Sequence, residues 1–357
     1  MHSWKGIKEI EGDLEHFPKV SVVVAVRNEE SNLERLLASL LAQRYPAGKY
    51  EVILVNNHSS DSSLSIMTDF ANRHHHINLI DLTFSHPEEM TFKKQALTEG
   101  IRSAKGEIII TTDADCFFGP GWMQAIVKTL LSQNYRIVTG PVMIAEAENL
   151  IEHYQEIEYA GLMVATAGGI QSQYLLLANG ANLAFYRSDF LALDGYRKMP
   201  DVSSGDDVFL VQKTYDKDPF SVGFIKDVAA IVYTRPVKSF WELIQQRKRW
   251  ATKTSLYSHG SSRYVALLVL CNSLFLCLTL GMTFWGSSIL LFLFLLQMTS
   301  KIIIDYHLIR DGLTFTGKEE KITQLLLAHL LNPILNMAVL IAAVFSRNYV
   351  WKGRITS

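Results

Sequence analysis

From Val20 onward the chain alternates short, unbroken apolar runs with stripes of apolar residues at helical spacing. VSVVVAV (20–26) reads as a buried β-branched strand, and the following SNLERLLASLLAQ sets Leu33, Leu36, Leu37, Leu40 and Leu41 on one helical face. YEVILVN (50–56) predicts a second strand with a helix after Asp61, and INLIDL (77–82) a third. A helix through Ala96, Leu97, Ile101 and Ala104 then leads into a fourth strand, EIIITT (107–112). Runs that are continuous rather than alternating belong to strands covered on both faces, so the pattern predicts an α/β, mostly parallel, Rossmann-like sheet.

The next region is less regular. A helical stretch is expected near 148–166, a Gly-rich turn at Ala167-Gly168-Gly169, then YLLLANGANLAFYR, SGDDVFLVQKTY and a β-like FIKDVAAIVYTR. SFWELIQQRKRWATKTSLYS (239–258) sets apolar and aromatic residues beside a basic face, as an interfacial helix does. Beyond it, residues 264–284 and 325–345 each approach the ~20 residues a helix needs to cross a bilayer. The run 287–304 is slightly shorter and carries Lys301, whose amine can snorkel to the interface. Three such runs in one tail disfavour core helices of a soluble protein. The expected division is an N-terminal extension (1–19), an α/β domain (20–238), an amphipathic interfacial helix (239–262) and a membrane region of two to three transmembrane helices (263–357).

Composition adds limits. At 357 residues, 48% hydrophobic, the chain has room for roughly two domains, and its net charge of -1 lacks the basic excess of a nucleic-acid partner. Cys116, Cys271 and Cys277 suggest no disulfide framework. The N-terminal MHSWKGIKEIEGDLEHF has no signal-peptide core, so the expectation is a multi-pass protein of the cell (inner) membrane with its large domain in the cytoplasm. If the first two runs cross and return, Arg310, Lys318 and Lys321 lie inside, as positive-inside placement prefers. A third crossing would put Arg347, Lys352 and Arg354 outside, against that preference. Pro333 after Asn332 leaves a broken or re-entrant last segment as the alternative.

Ligands bind parallel sheets beyond the carboxyl ends of the strands. The polar clusters fall there: Arg27, Asn28 and Glu29 after the first strand, Asn56, Asn57 and His58 after the second, Asp113 and Asp115 after the fourth. On an extended chain Asp113 and Asp115 point the same way, and hard oxygen ligands suit Mg2+ or Mn2+. The competing reading has one acid capping a helix that begins near Pro120 and the other solvated. His74-His75-His76 reads as a solvated loop, because three adjacent histidines cannot all face one ion.

The order VSVVVAVRNEE, EVILVNNHSSD, FKKQALTEGIRSAKGEIIITTDAD, GANLAFYRSDFLALDGY, SGDDVFL and QRKRW resembles the family 2 glycosyltransferases of the GT-A fold, over roughly residues 20–250. The membrane tail resembles the branch of cellulose, chitin and hyaluronan synthases and ceramide glucosyltransferases. The resemblance implies that Arg27, Asn28, Glu29, Asn56 and Asn57 hold the base and ribose of a nucleotide sugar. It implies that Asp113 contacts nucleotide or metal, that Asp115 ligates the metal on the diphosphate, and that Lys93 lies near the phosphates. Asn56 and Asn57 stand where the family usually has aspartates; an amide both donates and accepts, which puts the usual UDP in question.

Asp206-Asp207 aligns with the family's acidic pair, whose second member is the catalytic base, which makes Asp207 the candidate; helix capping is the alternative for either acid. Asn182 is the acceptor-side position by resemblance, or else a satisfied turn amide. Gln246, Arg249 and Trp250 form the Q-x-x-R-W pattern, implied to meet diphosphate or acceptor, or else anchoring an interfacial helix to headgroups. The implied activity is inverting, metal-dependent transfer of a sugar from a nucleotide diphosphate sugar, UDP-linked by resemblance, to a lipid or glycan hydroxyl. A processive polysaccharide synthase and a catalytically silent membrane scaffold are the rivals.

Overall fold

The computed structural model describes residues 2–82, 92–197, 205–254, 256–257, 259–284, 286–319, 321–345, 349–351 and 354–356. Ser204, Arg347 and Lys352, named in the sequence reading, lie outside them. The elements begin with α1 (His2–Gly6), β1 (Val20–Val26), α2 (Leu33–Leu41), β2 (Tyr50–Asn56), α3 (Ser63–Arg73), β3 (Ile77–Asp81), α4 (Phe92–Ser103) and β4 (Ile108–Thr111). Next come β5 (Cys116–Phe118), α5 (Trp122–Ser132), β6 (Ile137–Thr139), β7 (Val142–Ile144), α6 (Leu150–Gln171), β8 (Leu183–Tyr186), α7 (Arg187–Ala192) and α8 (Asp206–Tyr215). The last are β9 (Val222–Phe224), β10 (Val232–Thr234), α9 (Phe240–Thr254), α10 (Gly260–Thr283), α11 (Ser288–Phe315), α12 (Ile322–Phe345), β11 (Tyr349–Trp351) and β12 (Arg354–Thr356).

They form two units. The sheet unit comprises Gly6–Met143 and Leu176–Arg235; the helical unit comprises Met1–Lys5, Ile144–Leu175 and Pro236–Ser357. The sheet unit ends at Arg235, close to the expected boundary at 238, but Ile144–Leu175 joins the helical unit because α6 packs against α11 and α12.

In the sheet unit seven strands run in the order β3-β2-β1-β4-β8-β6-β9. β1 pairs in parallel with β2 (Val20 opposite Tyr50) and with β4 (Val20 opposite Ile108), and β2 with β3. β8 is antiparallel to β4 and to β6, so the expected mostly parallel sheet contains one reversed strand. This reversal matters for the site. Leu183, the first residue of β8, stands opposite Thr111, the last of β4, so the turn before β8 is delivered to the edge where β1, β2, β3 and β4 end. Val22, Val23, Val24, Ile108, Ile109 and Ile110 are buried, which explains the unbroken apolar runs.

Close approach sets α4 on this sheet. A Cβ on Gly100 would lie 2.5 Å from Val23 Cγ1 and 3.1 Å from Val55 Cγ2.

In the helical unit α6 starts with a capping box: Asn149 Oδ1 accepts from the backbone N–H groups of Ile151 and Glu152, and Glu152 accepts in return from Asn149 N. The predicted turn at Ala167-Gly168-Gly169 is instead the last part of this helix. Those glycines allow a close return of the chain, since a Cβ on Gly169 would sit 2.5 Å from the Leu175 carbonyl oxygen. α11 approaches α6 just as closely, a Cβ on Gly312 falling 2.4 Å from Ala160 O. α10, α11 and α12 are each long and apolar enough to cross a membrane, with large apolar side chains such as Leu267, Phe292, Ile304 and Ile341 exposed. α12 continues unbroken through Pro333.

Two sequence expectations for this unit change. α9 is shorter than the interfacial segment drawn from sequence, and its basic face is partly internal: Arg247 and Lys248 are buried, and Arg247 pairs with Glu158. Lys301 pairs with Asp305 one helical turn on, rather than reaching outward alone. Gly100→Val should overpack the α4–sheet contact by about 1–3 kcal/mol. The midpoint of thermal unfolding in detergent should fall; an unchanged midpoint would mean the contact yields without cost.

Candidate active site at the strand ends

The loops after β1 and β2 are laced together. Arg27 Nη1 donates to the carbonyls of Asn57 at 3.1 Å and His58 at 2.5 Å. Asn28 Oδ1 accepts from Ser60 N at 2.8 Å, and Glu29 N donates to Ser63 Oγ at 2.8 Å. Asn28 and His58 take positive φ values of 50° and 58°, a sparsely populated region for residues with side chains. Burial alone would raise the Asp61 carboxyl, but hydrogen bonds from Ser63 and the Glu30 amide hold it below its usual range. Burial of the Arg27 guanidinium lowers its pKa.

Asn56 and Asn57 are fully buried. Asn56 Nδ2 donates to Asp81 Oδ1 at 2.7 Å while its Oδ1 accepts from Ser59 N at 3.2 Å. The amide is thereby spent on shaping the edge, and Asp81, exposed at the end of β3, is the acid it presents. Asp81 was not singled out from sequence, although it ends the INLID run much as Asp113 follows EIIITT.

β4 ends at Thr111, and the two acids after it sit on a turn closed by Cys116 N donating to Asp113 O at 3.2 Å. They are therefore not brought together by strand alternation, as the sequence reading supposed. Neither caps the following helix: β5 intervenes, and the N-cap of α5 is Gly121. Both carboxylates flank the buried Cys116 thiol, whose pKa is pushed well up by burial, then by Asp115 and Asp113.

Lys93, on the first turn of α4, donates to Asp113 Oδ1 at 2.8 Å. Burial works against its charge, but Asp113, then Asp206 and Asp207, outweigh it and raise the lysine's pKa. Lys93 is thus not an ordinary exposed helix lysine.

Asp206 and Asp207 occupy the first turn of α8, where the helix dipole favours negative charge. The N-cap is Gly205, at φ 92°, so neither acid caps the helix. Asp207 is held from both sides, Oδ2 accepting from Gly180 N at 2.9 Å and Oδ1 from Val208 N at 2.8 Å. Thr111 Oγ1 in turn donates to Gly180 O at 2.9 Å, so the turn before β8 ties Asp207 to the end of β4. Tyr196, which carried no sequence signal, lies beside the pair: burial, then Asp206 and Asp207, push its hydroxyl pKa well up.

Among the described residues no group of three or more metal-binding side chains is formed, so a divalent ion held by Asp113 and Asp115 would have to take its remaining ligands from water and phosphate oxygen. A family model described as glycosyl transferase family group 2 matches residues 108–304, and one described as glycosyl transferase family 2 matches residues 21–191. This chain belongs to the family 2 glycosyltransferases.

Glycosyltransferase AglE of Haloferax volcanii is 25% identical to it, over 65% of this chain and 71% of the relative. The probable glycosyltransferase YdaM of Bacillus subtilis is 26% identical, over 67% of this chain and 56% of the relative. The poly-β-1,6-N-acetyl-D-glucosamine synthase of Staphylococcus epidermidis is 31% identical over 40% of this chain, which spans a third (33%) of that enzyme. Mannosyltransferase PcManGT from Pyrobaculum calidifontis, solved in complex with GDP-Man and Mn2+, has a TM-score of 0.62 at 18% identity, covering 96% of this chain and 91% of that one. At that identity the likeness shows the fold, which is GT-A.

Asn182, Gln246, Arg249 and Trp250 are the other site residues expected in this glycosyltransferase. Gln246, Arg249 and Trp250 belong to the helical unit, on α9. There Arg247, absent from the sequence list, donates to Gln246 and lies 4.1 Å over the Trp250 ring. Asn182 is completely buried: its Oδ1 accepts from Trp122 Nε1 at 3.1 Å, and its Nδ2 donates to Pro141 O and Ala230 O. These are the contacts of a satisfied turn amide, the alternative to the acceptor-side role. Asn182→Ala would take a partner from the buried Trp122 Nε1 and Ala230 O, while Pro141 O keeps its bond from Val232 N, at about 1–3 kcal/mol for a single unpaired group. It should lower the unfolding midpoint while the acceptor KM of the surviving folded enzyme stays unchanged. An unchanged midpoint with a raised acceptor KM would instead support the acceptor-side role.

Proposed function

We propose that this glycosyltransferase is a metal-dependent, inverting enzyme that moves a sugar from a nucleotide diphosphate sugar to a hydroxyl of a lipid. It would act from the cytoplasmic side of the cell (inner) membrane. The observation that carries the reading is the cluster of Lys93 with Asp113, Asp206 and Asp207 beyond the ends of the parallel strands. A transferase of this kind has two electrostatic tasks, accepting a proton from the attacking hydroxyl and neutralising a leaving diphosphate.

Asp207 takes the first task. Its carboxylate is oriented by two backbone N–H groups, and it receives the proton as the acceptor oxygen bonds to the anomeric carbon from the face opposite the diphosphate. The anomeric carbon–oxygen bond breaks, and its electron pair leaves with the nucleoside diphosphate. Lys93, held charged by its acidic neighbours, is placed to meet that negative charge, with Asp206 completing the balance around it. Asp115, with Asp113, would hold Mg2+ or Mn2+, which supplies Lewis-acid stabilisation of the diphosphate. The Mn2+ in the Pyrobaculum neighbour supports a divalent ion of this type.

The base and ribose are assigned to the edge built by Arg27, Asn28, Glu29, Asn56 and Asn57. There Asp81, anchored by Asn56, offers an acceptor to a base edge that bears N–H. Uracil and guanine both have one; the family resemblance favours a UDP-sugar, and the fold neighbour holds GDP-Man. The three apolar helices support a lipid acceptor. Similarity to the staphylococcal polysaccharide synthase favours a second reading, processive polymerisation, which the mass distribution of products separates from single transfer.

Asp207→Asn should fold and bind donor yet lose transfer by roughly 10²–10⁴-fold, the usual worth of a positioned base. Donor affinity by calorimetry and single-turnover transfer are the measurements. Transfer within a few-fold of wild type would remove Asp207 from this role.

A further inference from the structure

Within the helical unit a cavity of about 240 Å³ opens between α6, α11 and α12. Leu162, Ala165, Leu308 and Ala328 make its apolar wall, while Glu158, Lys301, Asp305 and His329 bring charge or polarity to it. Lys301 is paired with Asp305, and Glu158 with Arg247.

His329 is the unusual member. It is only 4% exposed, and its Nδ1 lies 2.7 Å from the Leu325 carbonyl oxygen. A carbonyl only accepts, so Nδ1 carries a proton and donates to it. Nε2 has no hydrogen-bond partner among the described residues, and the nearest acid, Asp305 Oδ2, stands 3.6 Å away. Asp305 Oδ2 already accepts from Lys301, so Nε2 is left at this wall as a buried polar atom without a hydrogen bond of its own, a cost that a polar group entering the cavity relieves.

A hydroxyl-bearing group fits this wall, one O–H meeting Nε2 and another donating to Asp305, with Lys301 donating back to a hydroxyl oxygen. A phosphate would set further negative charge beside Glu158 and Asp305. The level of the cavity along the helices fits a lipid head. The apolar run of α11 ends at Ile304, exposed and next to Asp305, and the apolar run of α12 begins at Leu325, one turn before His329. Heads of lipids lie where such runs end, with tails along them.

We propose that this cavity binds the hydroxylated head of a neutral lipid, the acceptor of the transfer; in that last respect it rests on the reading under Proposed function. The probe is a diazirine-bearing diacylglycerol, added to the full chain in phosphatidylcholine nanodiscs, with labelled peptides read by mass spectrometry. Labelling should fall on α6, α11 and α12 and be displaced by unlabelled diacylglycerol but not by phosphatidic acid. Ala165→Phe, which fills the cavity, should abolish it, and His329→Leu should weaken it roughly two- to tenfold, as loss of one hydrogen bond does.

No labelling above the phosphatidylcholine background, equal displacement by phosphatidic acid, or labelling untouched by either variant would overturn the site. Donor hydrolysis by the wild-type preparation separates the two readings. Hydrolysis without labelling removes the lipid site alone, and labelling without hydrolysis removes the transfer reading.

Discussion

A lysine ammonium placed among three carboxylates is the interaction on which the rest of the sheet unit depends. Lys93 would lose much of its hydration at this position, and Asp113, then Asp206 and Asp207, favour its charged form against that loss. The acids need it equally, since without a cation they would repel one another. The cluster's four members come from three parts of the chain: the start of α4, the turn after β4 and, for both Asp206 and Asp207, the first turn of α8. Bringing them within reach therefore requires the sheet to be built in its observed order.

The reversed strand β8 is what makes this possible. A purely parallel sheet would place the turn before β8 at the opposite edge, whereas antiparallel pairing with β4 puts Gly180 against Thr111 and, through its amide, against Asp207. The same register explains the burial of Asn182. At the base of this turn it must satisfy Trp122 and two carbonyls in a region closed to solvent. Around the nucleotide edge, Asn56 likewise serves Asp81 and Ser59 rather than presenting its own amide.

Much of this architecture was legible in the sequence. The β-branched runs at 20–26 and 50–56 and the apolar EIIITT fixed the strands, because burial on both faces leaves no room for polar positions. The clusters at their ends located the site for the same topological reason. Less legible were contacts between residues distant in sequence. Asp81 and Tyr196 had only ordinary local signals, and the pairing of Arg247 with Glu158 depends on how α6 and α9 meet. The glycines at 168 and 169 misled because the same residue type that makes a turn also permits close packing at a helix end. The helical unit shows a related tension, since apolar composition predicts its three long helices but says nothing of the Lys301, Asp305 and His329 group set among them.

The central claim is that the carboxylate and lysine cluster works on a nucleotide diphosphate sugar. Release of nucleoside diphosphate from a panel of nucleotide sugars, by membranes containing the full chain with Mn2+ or Mg2+ and then with chelator, tests it most directly. The account predicts release from one donor, lost on chelation and abolished by Asp115→Ala. Release from no donor, with lipid extract supplied as acceptor, or release indifferent to chelation and to Asp115→Ala, would contradict it.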